Sequence, residues 1–123
     1  MRAVLFLLAS TLCISSAAAE EWVSRTGYCF EWEGRWAVNR ERSGLWVGEI
    51  EFIHVGGRCA NPTHQVIVQP VRAVIVEDDF FGVRGNCQMS GRLRGTTIRG
   101  IELCAGSVDQ YPIIIELNPD PRR

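Results

Sequence analysis

The sequence predicts an all-β fold, a small antiparallel meander of about seven or eight strands closing into a β-barrel, with a two-sheet β-sandwich as the alternative. Three observations carry this. Apolar and polar residues alternate with a period of two over several stretches, which sets successive side chains on opposite faces of a strand. Glycine, proline, Asn and Asp interrupt these stretches at short intervals, and past the first nineteen residues nothing keeps a helical 3.6-residue period. Closure is favoured over an open sheet because it removes exposed strand edges.

Residues 1–19 read as a cleaved signal peptide. Met1-Arg2 gives the positive start, residues 3–14 an apolar run too short to span a bilayer, and Ala17 and Ala19 the small residues a signal peptidase needs. Leu12 stands before Cys13, where a lipoprotein needs a small residue. Cleavage before Glu20 leaves 104 residues (123 − 19), read as one barrel domain at 20–117 and a flexible tail at 118–123. The remaining sequence holds no transmembrane stretch, so the expected location is the periplasm or the extracellular medium.

Cysteine usage agrees with export. Cys29, Cys59, Cys87 and Cys104 remain after cleavage, and four cysteines in a small exported domain form two disulfides with three possible pairings. Cys29–Cys59 with Cys87–Cys104 is favoured because each pair flanks a plausible hairpin. Each bridge contributes about 3 kcal/mol. No two of these cysteines stand two to four residues apart, so a zinc site is disfavoured and no metal or cofactor is implied.

The elements follow in order. Residues 20–30 read as an N-terminal arm. Residues 32–42 and 45–55 form a hairpin about Ser43-Gly44, with Trp32, Gly34, Trp36, Val38, Trp46, Ile50, Phe52 and His54 on the inward parity. That parity conflicts with placing Cys29 and Cys59 inside, and a bulge at Gly56-Gly57 is the expected remedy. A loop at 56–64 turns at Asn61-Pro62. Residues 65–69 and 71–77 are β-branched runs split by Pro70, which marks an edge, a bulge or a corner.

After a turn at Asp78-Asp79 comes the stretch 81–93. Phe81, Val83, Cys87, Met89 and Leu93 share one parity, and Arg84, Gln88, Ser90 and Arg92 the other, which reads as apolar-in and polar-out. The stretch is one strand bent at its glycines or a tight hairpin at Gly85-Asn86. Residues 96–103 return, 104–106 turn, and 110–117 form the last strand.

Gly34-Arg35-Trp36 resembles the G-x-W signature of the calycin barrels, which include lipocalins, avidins and small secreted protease inhibitors. The resemblance spans three residues and implies a tryptophan closing one barrel end beneath an arginine from a late strand, with Arg99 in that role.

Composition narrows the function classes. The chain has 13 basic residues, all arginine, against 14 carboxylates, a balance that argues against nucleic-acid binding. The absence of lysine points to a GC-rich bacterial genome. His54 and His64 are the only histidines, and no nucleophile elbow or C-x-x-C pair is present, so no enzyme is expected. Glu49 and Glu51 lie on one face roughly 7 Å apart, a spacing that suits glycosidase carboxylates but is commoner for solvated acids. Glu77-Asp78-Asp79 lacks the ligand spacing of a calcium loop.

Two features point to binding. Trp22, Tyr28, Phe30, Trp32, Trp36 and Trp46 crowd the early sequence, and aromatic faces suit apolar ligands, sugars or partner proteins. Arg84, Arg92, Arg94 and Arg99 read as an arginine row suited to anionic partners. The expected function is a non-enzymatic exported binding protein for a protein or an envelope ligand, using Trp22, Trp32, Trp36 and Trp46 or the arginine row. The alternatives are an inhibitor of an exported hydrolase of protease or lysozyme type, acting through the arm or the 56–64 loop, and a structural accessory of the cell envelope.

Overall fold

The computed structural model describes residues 19–118, and there the alternation becomes eight antiparallel strands. They are β1 (Glu20–Thr26), β2 (Trp32–Arg40), β3 (Trp46–His54), β4 (Val66–Val76), β5 (Asp79–Arg84), β6 (Cys87–Arg94), β7 (Thr97–Cys104) and β8 (Gln110–Leu117). Each strand pairs with its neighbour in sequence and β1 pairs with β8, so the sheet closes as an up-and-down barrel. The sandwich alternative is set aside. The leader expected at 1–19 and the tail at 118–123 lie outside the described residues, apart from Ala19 and Asn118.

The expected arm is instead the closing strand. Residues 20–26 pair with β2 through Trp22↔Trp36 and with β8 through Trp22↔Leu117 and Thr26↔Ile113. Their period-two pattern is easily missed because Ser24 and Thr26 occupy two of the three buried positions.

The stretch 81–93 resolves into the hairpin β5–β6, and the two-residue turn changes the parity. Arg84 lies opposite Cys87, so both point to the same side, whereas strict alternation through the turn would separate them. Phe80 is therefore buried, Phe81 and Val83 face solvent, and Arg84 points inward. Cys87, Met89 and Leu93 keep the expected inward side. Gly85 and Gly95 begin the β5–β6 and β6–β7 turns with φ of +54° and +64°, values that glycine adopts freely. Glu77 takes the same role before β5 with φ of +54°.

Pro70 does not divide its segment, because β4 runs unbroken past it. The pairing of β4 with β5 covers only Val71–Val76, so at Pro70 the strand has β3 alone beside it and one missing donor is tolerated. The edge expected of that proline is thus local.

Both disulfides join the expected partners, Cys29–Cys59 and Cys87–Cys104. Cys87 and Cys104 lie opposite each other in the β6–β7 ladder. Cys29 and Cys59 sit in the loops after β1 and β3, outside the alternating strands, so the parity conflict disappears without a bulge.

Loops after the odd-numbered strands gather at one end of the barrel, with both disulfides. The core fills the other half. Trp22, buried completely, lies 5.4 Å from Trp36 and 5.1 Å from Trp46 between ring centroids, and Trp36 meets Phe80 at 6.4 Å. Ile50, Val71, Met89, Ile98, Ile113 and Ile115 complete the packing. Trp36 Nε1 donates to Ser24 Oγ at 2.9 Å, so the buried indole N–H is satisfied.

Strand coiling needs close backbone approach where Gly91 faces Gly100. A Cβ on Gly100 collides with the Ser90 carbonyl and the Gly91 Cα, both backbone atoms. Gly100→Ala is therefore expected to lower stability by about 3 kcal/mol in urea unfolding, and Gly95→Ala, where a Cβ meets open space, by only about 1 kcal/mol through its positive φ. Glu77→Gly is expected to raise stability by about 1 kcal/mol.

Candidate functional site

Inward positions toward the disulfide-bearing end change character from apolar to polar. Thr26 of β1, Gln69 of β4, Arg84 of β5 and Glu102 of β7 project into this half of the barrel. Glu102 is 2% exposed and receives two hydrogen bonds from the Arg84 guanidinium, from Nε at 2.7 Å and from Nη2 at 2.9 Å. Arg84 Nη1 donates to Gln69 Oε1 at 2.7 Å, and the guanidinium carbon lies 4.4 Å from the centroid of the Phe52 ring. Thr26 Oγ1 donates to the Pro112 carbonyl at 3.1 Å and lies 3.4 Å from Glu102 Oε1.

This bidentate pair compensates the desolvation of two charges with directed hydrogen bonds. Among the described residues no buried side-chain nitrogen or oxygen lacks a partner.

Above this floor the barrel opens into a cavity of ≈ 400 Å³. Trp32, Tyr28 and Tyr111 form its aromatic wall, Ile67 and the Cys87–Cys104 bridge its apolar part, and Glu31 a carboxylate wall. The wall is braced on several sides. Trp32 and His54 meet in a T-shaped contact at 4.8 Å between ring centroids, and His54 Nδ1 accepts the Thr63 N–H at 3.1 Å, which accounts for this histidine structurally. Tyr28 packs edge-on against Tyr111 at 4.8 Å and donates its hydroxyl to Asp109 at 2.6 Å. The hydrogen bond to Asp109, reinforced by that carboxylate's charge, pushes the Tyr28 phenol up from 10.0 to about 12.

Of the eight aromatic and arginine candidates, Trp32 and Arg84 meet at this cavity. Trp22 and Trp36 are buried in the packed half and Trp46 is half-buried against them, so they serve as core. Their inward parity in a small barrel, which has to fill its interior, is the physical reason. The arginine row divides. Arg92, Arg94 and Arg99 face outward on β6 and β7, with Arg92 opposite Arg99 and bound to Asp79 at 3.2 Å, while Arg84 lies within. Arg99, being outward, does not cover Trp36 as the G-x-W resemblance implied. His64, Glu49 and Glu51 are exposed.

Phe52, Glu31, Tyr111 and Glu102 complete the site, and sequence reasoning did not bring them together. The turn at Gly85-Asn86 held the signal, since once it is a two-residue hairpin Arg84 moves inside and requires a buried acid.

The cluster Cys29, Glu31 and Cys59 has ligand atoms within 4.8 Å of one another, but both sulfurs are bonded to each other and do not form a metal set. Glu31 Oε1 instead accepts the Cys29 N–H at 3.0 Å.

No protein family, curated protein or solved structure compared with this chain matches it. The site is therefore read from its own geometry.

Two outcomes are expected. Glu102→Gln leaves the Arg84 charge uncompensated and lowers stability by about 3 kcal/mol in chemical denaturation, whereas Arg84→Met combined with Glu102→Leu recovers most of that loss. In a spectrophotometric titration near 295 nm, Tyr28 ionises at about 12, and Asp109→Asn returns it toward 10.0. Because the folded phenol holds its proton longer than the unfolded one, this contribution to stability is intact below pH 10.0 and is lost as pH rises through about 12.

Proposed function

We propose that this protein is an exported, non-enzymatic binding protein that holds a small ligand in the open end of its barrel. The observation that carries the reading is the cavity of ≈ 400 Å³, walled by aromatic rings over a floor whose polar groups are already paired with one another. Mouths of β-barrels are common ligand sites, and apolar walls with a few fixed polar groups are their usual composition. A floor in which Arg84, Glu102, Gln69 and Thr26 hold each other orients a ligand without offering a free nucleophile or base, which favours binding over catalysis.

Export is supported by the leader-like sequence at 1–19 and by the two disulfides, which persist in oxidising compartments. Among the described residues no helix is long and apolar enough to cross a membrane. Glu33, Glu49, Glu51, Arg35, Arg72 and Arg99 interrupt an outer wall that also carries Val68, Phe81 and Val83, and a charged wall over an apolar core differs from a lipid-embedded barrel, which favours a protein free of the bilayer.

A second reading, inhibition of an exported hydrolase, draws on the loop between β3 and β4. Arg58, Cys59, Asn61 and Pro62 are exposed there, while the Cys29–Cys59 bridge and the Gly57↔Ala60 pairing hold the loop in shape. Such preorganisation lowers the entropic cost of insertion into a cleft. Of the arm expected at residues 20–30, residues 20–26 are engaged as β1.

Fluorescence titration with N-phenyl-1-naphthylamine, a neutral probe that brightens in apolar sites, separates the readings. Saturable binding is expected, weakened about tenfold by Trp32→Ala or Tyr111→Ala and unchanged by Arg99→Ala on the outer wall. Absence of saturable binding by the folded protein, both of this probe and of the smaller charged and neutral ligands titrated below, removes the cavity reading and leaves the loop.

A further inference from the structure

We infer that the ligand of the open-end cavity is a small organic cation, an ammonium or similar group carried on an apolar body. The inference rests on the cavity reading above and gives the occupant its chemistry.

The charge of the lining decides the sign. Three ionised side chains border the cavity, Glu31, Arg84 and Glu102. Arg84 and Glu102 neutralise each other through two charge-assisted hydrogen bonds, at 2.7 and 2.9 Å. Glu31 accepts a backbone N–H from Cys29, and among the described residues it has no cationic partner. The wall thus carries one uncompensated negative charge. Asp109, which accepts the Tyr28 hydroxyl at 2.6 Å, adds a second carboxylate at the rim. An anion entering here meets both carboxylates and finds the one guanidinium already engaged. A neutral ligand leaves Glu31 without a counterion.

The aromatic rings agree independently with that sign. Tyr28, Trp32 and Tyr111 are lining residues, and the electron-rich face of such rings attracts an organic cation. The floor already contains one instance, the Arg84 guanidinium over the Phe52 ring at 4.4 Å. A carboxylate beside an aromatic wall is the arrangement that recognises an ammonium head by charge and its alkyl substituents by contact. The volume of ≈ 400 Å³ restricts the ligand to a small molecule.

The test is calorimetric titration of the protein with three isosteres, choline, 3,3-dimethylbutan-1-ol and 3,3-dimethylbutyrate, which share a branched body and differ in charge. Choline is expected to bind about tenfold more tightly than the alcohol, and the carboxylate not measurably. Glu31→Gln, which keeps an acceptor for the Cys29 N–H, is expected to abolish the preference for choline over the alcohol, and Trp32→Ala to weaken choline binding. Equal affinity for choline and the alcohol, a preference for the carboxylate, or choline binding that neither variant alters overturns the inference. If N-phenyl-1-naphthylamine still binds in that case, only the charge assignment fails. If the naphthylamine and all three isosteres fail to bind, the cavity reading fails with it.

Discussion

Pairing of the first strand with the last is the constraint on which the molecule depends. Trp22 to Thr26 of β1 join Leu117 to Ile113 of β8, and that ladder turns a seven-hairpin ribbon into a closed wall. Closure then fixes which parity of each strand faces inward, and the interior has to be filled or functionally used. One half is filled, by three tryptophans and aliphatic side chains. The other half receives polar side chains and leaves a cavity. The same rule of alternation produces both halves, and side-chain chemistry alone makes them different.

An ion pair inside a small barrel is an expensive choice, since two charges leave water to meet each other. Arg84 and Glu102 come from β5 and β7, the strands flanking β6, and their geometry leaves neither the half-buried guanidinium nor the buried carboxylate unsatisfied. They also separate the apolar core from the aromatic mouth, so that the cavity has a polar floor. This arrangement ties the register of three successive strands to one contact. A one-residue slip of β5 or β7 would turn one of the pair out into solvent and leave the other buried alone.

Much of the fold was legible in the sequence. The hairpin of β2 and β3, with Trp32, Trp36, Ile50 and Phe52 inward, follows from unbroken alternation, and the disulfide pairing follows from the hairpins that bring the cysteines together. Failures arose where a local rule was overridden by a turn or by chemistry. Carrying one parity through Gly85-Asn86 exchanged Phe80 with Phe81 and sent Arg84 to the wrong side of the wall. Ser24 and Thr26 disguised β1 because their buried hydroxyls are satisfied by partners on other strands, Trp36, Pro112 and Glu102. The site was less legible still, since Trp32, Tyr111, Glu31 and Glu102 come from three strands and a loop that no local spacing relates.

Both covalent bridges sit at the same pole as the cavity, and none braces the tryptophan-filled pole. Stitching is placed where packing is thin: a rim assembled from loops and a hollow has little cohesion of its own, while tilted and edge-on indoles packed with aliphatic side chains fill the opposite pole. The oxidising power of the surroundings therefore acts first on the vestibule, since each cross-link closes a loop or a strand end beside the cavity and neither reaches the tryptophan-filled pole.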